Sequence, residues 1–167
     1  MSKLKLFVYG SLKRYEFNWH VIADGVKSCR PAWLTGSMFL RHDGYPALVT
    51  QENEPRLGSR EYAADLALSL SAAGTADGPR VYGELLELNP GALWIERLDQ
   101  FEGYFPGAPS EYLRMLVAVR VEEGWESAWT YTAVANPPDG WPRIQEWDRT
   151  MVEKLEPYEH EHGATSL

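Results

Sequence analysis

The segment from Tyr112 to Val134 leaves this chain the fewest choices. In "YLRMLVAVRV" (112–121), Met115, Val117, Val119 and Val121 fall on one face of an extended strand. "EEGWE" reads as a turn, and "SAWTYTAV" (127–134) returns as the second strand of a hairpin. Further strands are expected where Leu4, Leu6 and Val8 alternate with Lys5, Phe7 and Tyr9, near residues 34–40, and at "VYGELLEL" (81–88). "YPALV" is another, entered through a proline after the turn His42-Asp43-Gly44. Two helices are expected. One starts at Asn89-Pro90, with Asn as N-cap and Pro in the first turn, and stops at Gly103. The other begins near Pro142 and carries Ile144, Trp147, Met151 and Leu155 on one side. Residues 13–24 read as a short helix or a structured loop.

Strands and helices do not alternate regularly, so a doubly wound parallel sheet does not fit. The pattern predicts an α+β domain, a small mixed, mainly antiparallel β-barrel with flanking helices. The 167 residues suffice for one domain with a full core. That domain is expected over 1–157, with 158–167 a frayed tail. Residues 51–80, rich in Ala, Ser, Gly, Asp and Glu, read as an insertion with a helix in "EYAADLALSLSAA" and loop flanks.

A formal net charge of −8 repels phosphate backbones and anionic bilayers, so neither nucleic acid nor membrane is an expected partner. No apolar run has the length of a signal peptide or a membrane span. The lone Cys29 excludes an intramolecular disulfide, which fits a cytoplasmic protein. It also lacks a basic or histidine partner in the sequence, which argues against a nucleophile. His160 and His162 have no further ligands clustered nearby, so no metal is expected.

The helix "PGALWIERLDQFEGY" holds one carboxylate out of place. With Trp94 at zero and about 100° per residue, Leu98 falls at about 40°, Ile95 at about 100° and Phe101 at about 340°, one apolar face. Glu102 falls at about 80°, inside that face. Burial and the negative end of the helix dipole both disfavour its anion and raise its pKa, as a general acid/base near neutrality requires. The competing reading is a frayed helix end with Glu102 solvated or paired to Arg114.

In order, "VYGSLK", "GYPAL", "VYGELLEL", "LDQFEGY", "YLRMLVAV" and "AWTYTA" resemble the gamma-glutamylcyclotransferase-like superfamily, over residues 6–133. The "FEG" context and the following Tyr-x-Arg are similar to its gamma-glutamylamine branch. The resemblance implies a small mixed barrel and a reaction without cofactor or metal. The substrate's own α-amine attacks its γ-carbonyl and releases 5-oxoproline. Glu102 then falls on the family's catalytic glutamate, and the loop Tyr9-Gly10-Ser11-Leu12 on the part that binds the γ-glutamyl group. Tyr45, Tyr112 and Tyr131 are further substrate-binding candidates.

Each has an ordinary reading beside it. The loop can simply end a strand. Tyr45 can support the proline-entered strand, Tyr112 can sit at a pocket edge, and Tyr131 can be a core tyrosine. Arg114 can bind a carboxylate or pair with Asp99, itself a helix-face partner. Asn18 and His20 read as local structure. On function, the alternatives to the enzyme are a non-catalytic carboxylate-binding cleft and a protein-interaction module. The leaving amine, the role of 51–80 and the oligomeric state stay open.

Overall fold

The strands close on themselves. The computed structural model describes residues 2–50, 56–70, 74 and 76–153. The first half holds β1 (Leu4–Val8), β2 (Val26–Leu40), β3 (Pro46–Thr50), β4 (Arg56–Leu57) and α1 (Tyr62–Leu66). The second holds β5 (Arg80–Leu88), α2 (Gly91–Glu102), β6 (Tyr112–Val121), β7 (Gly124–Ala133), β8 (Arg143–Ile144) and α3 (Thr150–Glu153). Strands β2, β5, β1, β7 and β6 are joined edge to edge, and β2 meets β6 at Trp33 and Arg120 to complete a barrel. Only the β1–β7 pairing is parallel within it. Closure removes the open edges that would otherwise pair with another chain. β3, β4 and β8 add to the rim.

The barrel strands are buried on both faces, so they carry apolar residues at odd and even positions. Phe7, Leu34, Leu85, Val117, Val119 and Ala128 fill the interior. Leu4, Leu6, Leu86, Leu116 and Trp129 face outward, under Trp94, Ile95 and Leu98 of α2. This explains why 112–121 reads as near-continuous apolar sequence rather than strict alternation.

Several local expectations change. The hairpin and "YPALV" stand where expected, but the turn shrinks to Glu122 and Glu123 because β7 already starts at Gly124, and β2 begins earlier, at Val26. Asn89 does not cap α2. The Asn89–Pro90 bond is cis, Pro90 is the cap residue, and the buried Asn89 Oδ1 has no partner among the described residues. The helix expected from Pro142 is instead an extended segment. Ile144 pairs with Met38 across β8 and β2, and only Thr150–Glu153 is helical. Its apolar residues are spaced like a helix because they drop side chains into the barrel one after another. Trp147 is fully buried, and its Nε1 donates to Gly44 O at 2.7 Å. Leu155 and the tail lie outside the described residues. Within 51–80, β4 pairs with β6, and Tyr62 and Leu66 pack against the outer core. The helix there is shorter than expected, Tyr62–Leu66, and residues 51–55, 71–73 and 75 lie outside the description.

If Trp147 is a plug of the barrel rather than part of a surface helix, Trp147→Ala costs about 3–5 kcal/mol. Urea unfolding measures it. A loss below about 1 kcal/mol would contradict this placement of the C-terminal segment.

Candidate active site

A cleft of about 290 Å³ opens at one mouth of the barrel. It is lined by the loop after β1, the turn before β3, the end of α2 and the start of β6. All eight residues singled out from the sequence meet there: Tyr9, Gly10, Ser11, Leu12, Tyr45, Glu102, Tyr112 and Tyr131. A larger groove of about 840 Å³ runs along the barrel wall past Arg14, Arg30, Trp33 and Tyr82, and contains none of them.

α2 delivers Glu102. Gly103 follows the last turn at φ +65°, a left-handed conformation that glycine adopts without strain. Tyr104 N–H then bonds Asp99 O at 2.8 Å, and Gly103 N–H bonds Gln100 O at 3.3 Å, a Schellman stop. One turn back, buried Asp99 accepts from Arg114 Nε at 2.8 Å and from the Tyr131 hydroxyl at 2.7 Å. Arg114 and Tyr131 are direct cross-strand neighbours, so both reach the same carboxylate. Arg114 also holds Asp65 of α1 at 3.0 Å and Ser59 O at 2.7 Å. The second option the sequence offered for Arg114, pairing with Asp99, is the one realised. It is not a partner of Glu102.

Glu102 is half-buried, and its carboxylate makes no hydrogen bond or ion pair among the described residues. Its pKa is pushed up from 4.5 to about 7, mainly by burial and next by Glu111, against the pull of Arg41. Phe101 departs from the expected apolar face. It is 41% exposed and lines the cleft, because the last turn of α2 has run past the barrel wall.

The loop after β1 is a tight turn in which Lys13 N–H bonds Gly10 O at 3.0 Å. Asn18 braces it, with Nδ2 on Ser11 Oγ at 2.8 Å and its own N–H on Ser11 O at 2.9 Å. The amides of Gly10, Ser11 and Leu12 donate to no protein acceptor among the described residues. Pro46 closes on Gly10 so tightly that a Cβ there would fall 2.9 Å from the Pro46 ring. The Tyr9 hydroxyl donates to Tyr131 O, and burial raises its pKa well above the usual phenol range. Tyr45 stacks on Trp147 at 6.0 Å between ring centroids.

Sequence reading missed Arg41. It lies just before the turn into β3, donates to the Tyr112 hydroxyl at 2.6 Å and pairs with Asp43 at 3.0 Å. No periodicity marks a loop arginine; only the pairing of β2 with β3 brings it beside Tyr112. Asp43, Glu111 and Asn18 were also not assigned to the cleft. Cys29 gives its thiol to Glu84 at 3.2 Å, and burial with that carboxylate pushes its pKa up to about 12, so it is no nucleophile. His20 is exposed and contacts Phe17 O. His160 and His162 lie outside the described residues.

The family model for "Gamma-glutamyl cyclotransferase, AIG2-like" matches residues 6–67 and 59–149. The chain belongs to that family. Its fold is also that of an AIG2-like protein from Mus musculus, at 22% identity and TM-score 0.60, covering 89% of this chain and 90% of that one. An Arabidopsis thaliana protein matches at 20% identity and TM-score 0.55, covering 98% of this chain and 89% of its own. YkqA from Bacillus subtilis matches at 21% identity and TM-score 0.55, covering 98% of this chain, which spans 44% of that protein. No curated protein sequence matches the chain. No described helix of this family member is long and apolar enough to cross a membrane.

The raised pKa of Glu102 has a signed consequence for stability. The folded state holds this proton more tightly than the unfolded chain, so wild type loses stability as pH rises from 4.5 to about 7. Glu102→Gln carries no such proton. Its stability relative to wild type should climb through that window by about 3 kcal/mol and level off above it. Urea unfolding at stepped pH tests this; a pH-independent difference would contradict it.

Proposed function

We propose that this protein is a cofactor-free γ-glutamyl cyclotransferase that releases 5-oxoproline from a γ-glutamyl amine or amide. The observation that carries the reading is one juxtaposition. Glu102, poised near neutrality and unpaired among the described residues, shares a small cleft with three backbone amides that have no acceptor among those residues.

In this reading Glu102 is the general base, then the general acid. It takes a proton from the substrate's α-ammonium, and the freed amine attacks the γ-carbonyl carbon. The new C–N bond closes a five-membered ring and leaves a negative tetrahedral oxygen. Tethering makes this attack entropically easy. The amides of Gly10 to Leu12 face the developing oxyanion, which fixed donors stabilise more than they stabilise the ground-state carbonyl. Glu102 gives the first proton to the departing nitrogen as its C–N bond breaks, then takes the second proton from the ring nitrogen, leaving the neutral lactam, and passes it to the amine, which departs as an ammonium. Arg41, already oriented by Asp43 and Tyr112, is the cation available for the substrate's α-carboxylate. Tyr9 and Tyr131 brace the cleft wall through their mutual hydrogen bond.

A carboxylate-binding cleft without turnover is the second reading, and Arg41 with the free amides favours it. An unpaired Glu102 in the same space opposes it, because a second carboxylate repels an acidic ligand.

The test is 5-oxoproline release from a panel of γ-glutamyl amines, γ-glutamyl dipeptides and glutathione. Wild type should turn over at least one of them, and folded Glu102→Gln should be about 10²- to 10⁴-fold slower. Release undiminished in the variant removes Glu102 from the mechanism. Absence of release across the panel favours the binding reading.

A further inference from the structure

The Gly83-Glu84 pair of "VYGELLEL" takes no part in the cyclisation, yet it grips the loop that carries the free amides. Glu84 lies outside the cleft, half-buried on the outer wall of the barrel. β5 pairs it with Val8, the last residue of β1. The chain then runs through Tyr9 to Leu12, turns where Lys13 N–H bonds Gly10 O, and comes back to Glu84, whose Oε1 accepts from Arg14 N–H at 2.6 Å. One residue therefore holds both ends of the loop, the start by strand pairing and the end by its carboxylate. The other oxygen, Oε2, accepts from the Cys29 thiol of β2 at 3.2 Å, which steadies the carboxylate from the side away from β1. Gly83 makes room for this. A Cβ there would fall 2.2 Å from Val8 O and would push the end of β1, with the loop, off β5.

Donors that serve an oxyanion must be in place before charge develops, because moving them at that moment costs the reorganisation that catalysis avoids. The amides of Gly10, Ser11 and Leu12 bond no acceptor among the described residues, so their own bonds do not fix them. Their position depends on what grips the loop around them. Asn18 braces Ser11 from within, and Glu84 secures the far end with a charged acceptor, roughly twice as strong as a neutral one. Resting on the cyclotransferase reading, we propose that Glu84 is a positioning residue that clasps the loop through Arg14 N–H and so aims these three amides at the reacting γ-carbonyl.

Two variants test this. Glu84→Met keeps the stem and removes both acceptor oxygens, and Glu84→Gln keeps one. Amide hydrogen exchange followed by NMR reads the loop without any substrate. In wild type the Arg14 amide should be protected. In Glu84→Met its protection should fall by about tenfold, together with that of Lys13 and Asn18, whose N–H groups bond Gly10 O and Ser11 O, while the β6–β7 hairpin keeps its own. Glu84→Gln should recover part of the loss. In 5-oxoproline release, Glu84→Met should lower kcat by about 10- to 100-fold with KM held within about threefold, since the loss falls on the transition state. An Arg14 amide that exchanges freely in wild type, unchanged exchange at Lys13 and Asn18 in Glu84→Met, or a loosened loop with kcat unchanged would overturn the inference. Each of these with 5-oxoproline still released leaves the cyclotransferase reading standing. A loop that loosens in Glu84→Met while wild type releases no 5-oxoproline from any panel member takes down that reading and the aim assigned to the amides, and only the clasp survives.

Discussion

The guanidinium of Arg114, buried between α1, α2 and β6, ties three elements together through Asp65, Asp99 and Ser59. A buried charge is tolerated only when its partners are in place, so these elements have one arrangement that satisfies it and many that do not. Asp99 is the link to the cleft. It sits one turn before the end of α2, and fixing it fixes the direction in which that end points. Tyr131 joins the same carboxylate and lends its backbone oxygen to Tyr9, so the network also reaches the strand that carries the β1 loop. A structural ion pair thereby sets the distance between Glu102 and the free amides.

Keeping that pair away from the mouth has an electrostatic result. Arg114 is occupied and does not reach Glu102. Arg41 is turned toward Asp43 and Tyr112, and its pull is too weak to offset burial and Glu111. Glu102 therefore stays free to gain and lose a proton, which a salt-bridged carboxylate at the same place would not do. The tryptophan from the far end of the chain serves the same mouth differently. Trp147 fills the barrel interior, holds Gly44 O and backs Tyr45, so the floor and one wall of the cleft share a residue.

The sequence was most readable where one physical rule dominated. Glu102 stood out because a charged residue broke an apolar helical face. Gly103 was a stop for the reason the structure displays, a left-handed φ. The hairpin 112–134 was plain because both of its strands are buried. Legibility failed where two rules produced the same spacing. Ile144, Trp147 and Met151 are spaced like one helix, yet Ile144 and Trp147 lie on a non-helical segment that enters the barrel, and only Met151 falls in a helix, Thr150–Glu153. It failed again at Asn89, whose N-cap chemistry was plausible but unused, and at Phe101, whose helical angle was right while the wall it should have met had ended. Arg41 and Glu111 could not be found at all, because only tertiary contacts bring those loop charges to the cleft. What 51–80 contributes was only partly visible: its small-residue composition hid Asp65, a buried partner of Arg114.

The account turns on Glu102 being a carboxyl that titrates near neutrality inside a preformed cleft. The most direct measurement is an NMR titration of its side-chain carboxyl carbon in the folded protein, assigned by comparison with Glu102→Gln. The account predicts a midpoint at about 7. A midpoint at the ordinary value of 4.5 would mean that water or a cation reaches Glu102, and would contradict the claim that this cleft holds an acid/base ready for its substrate.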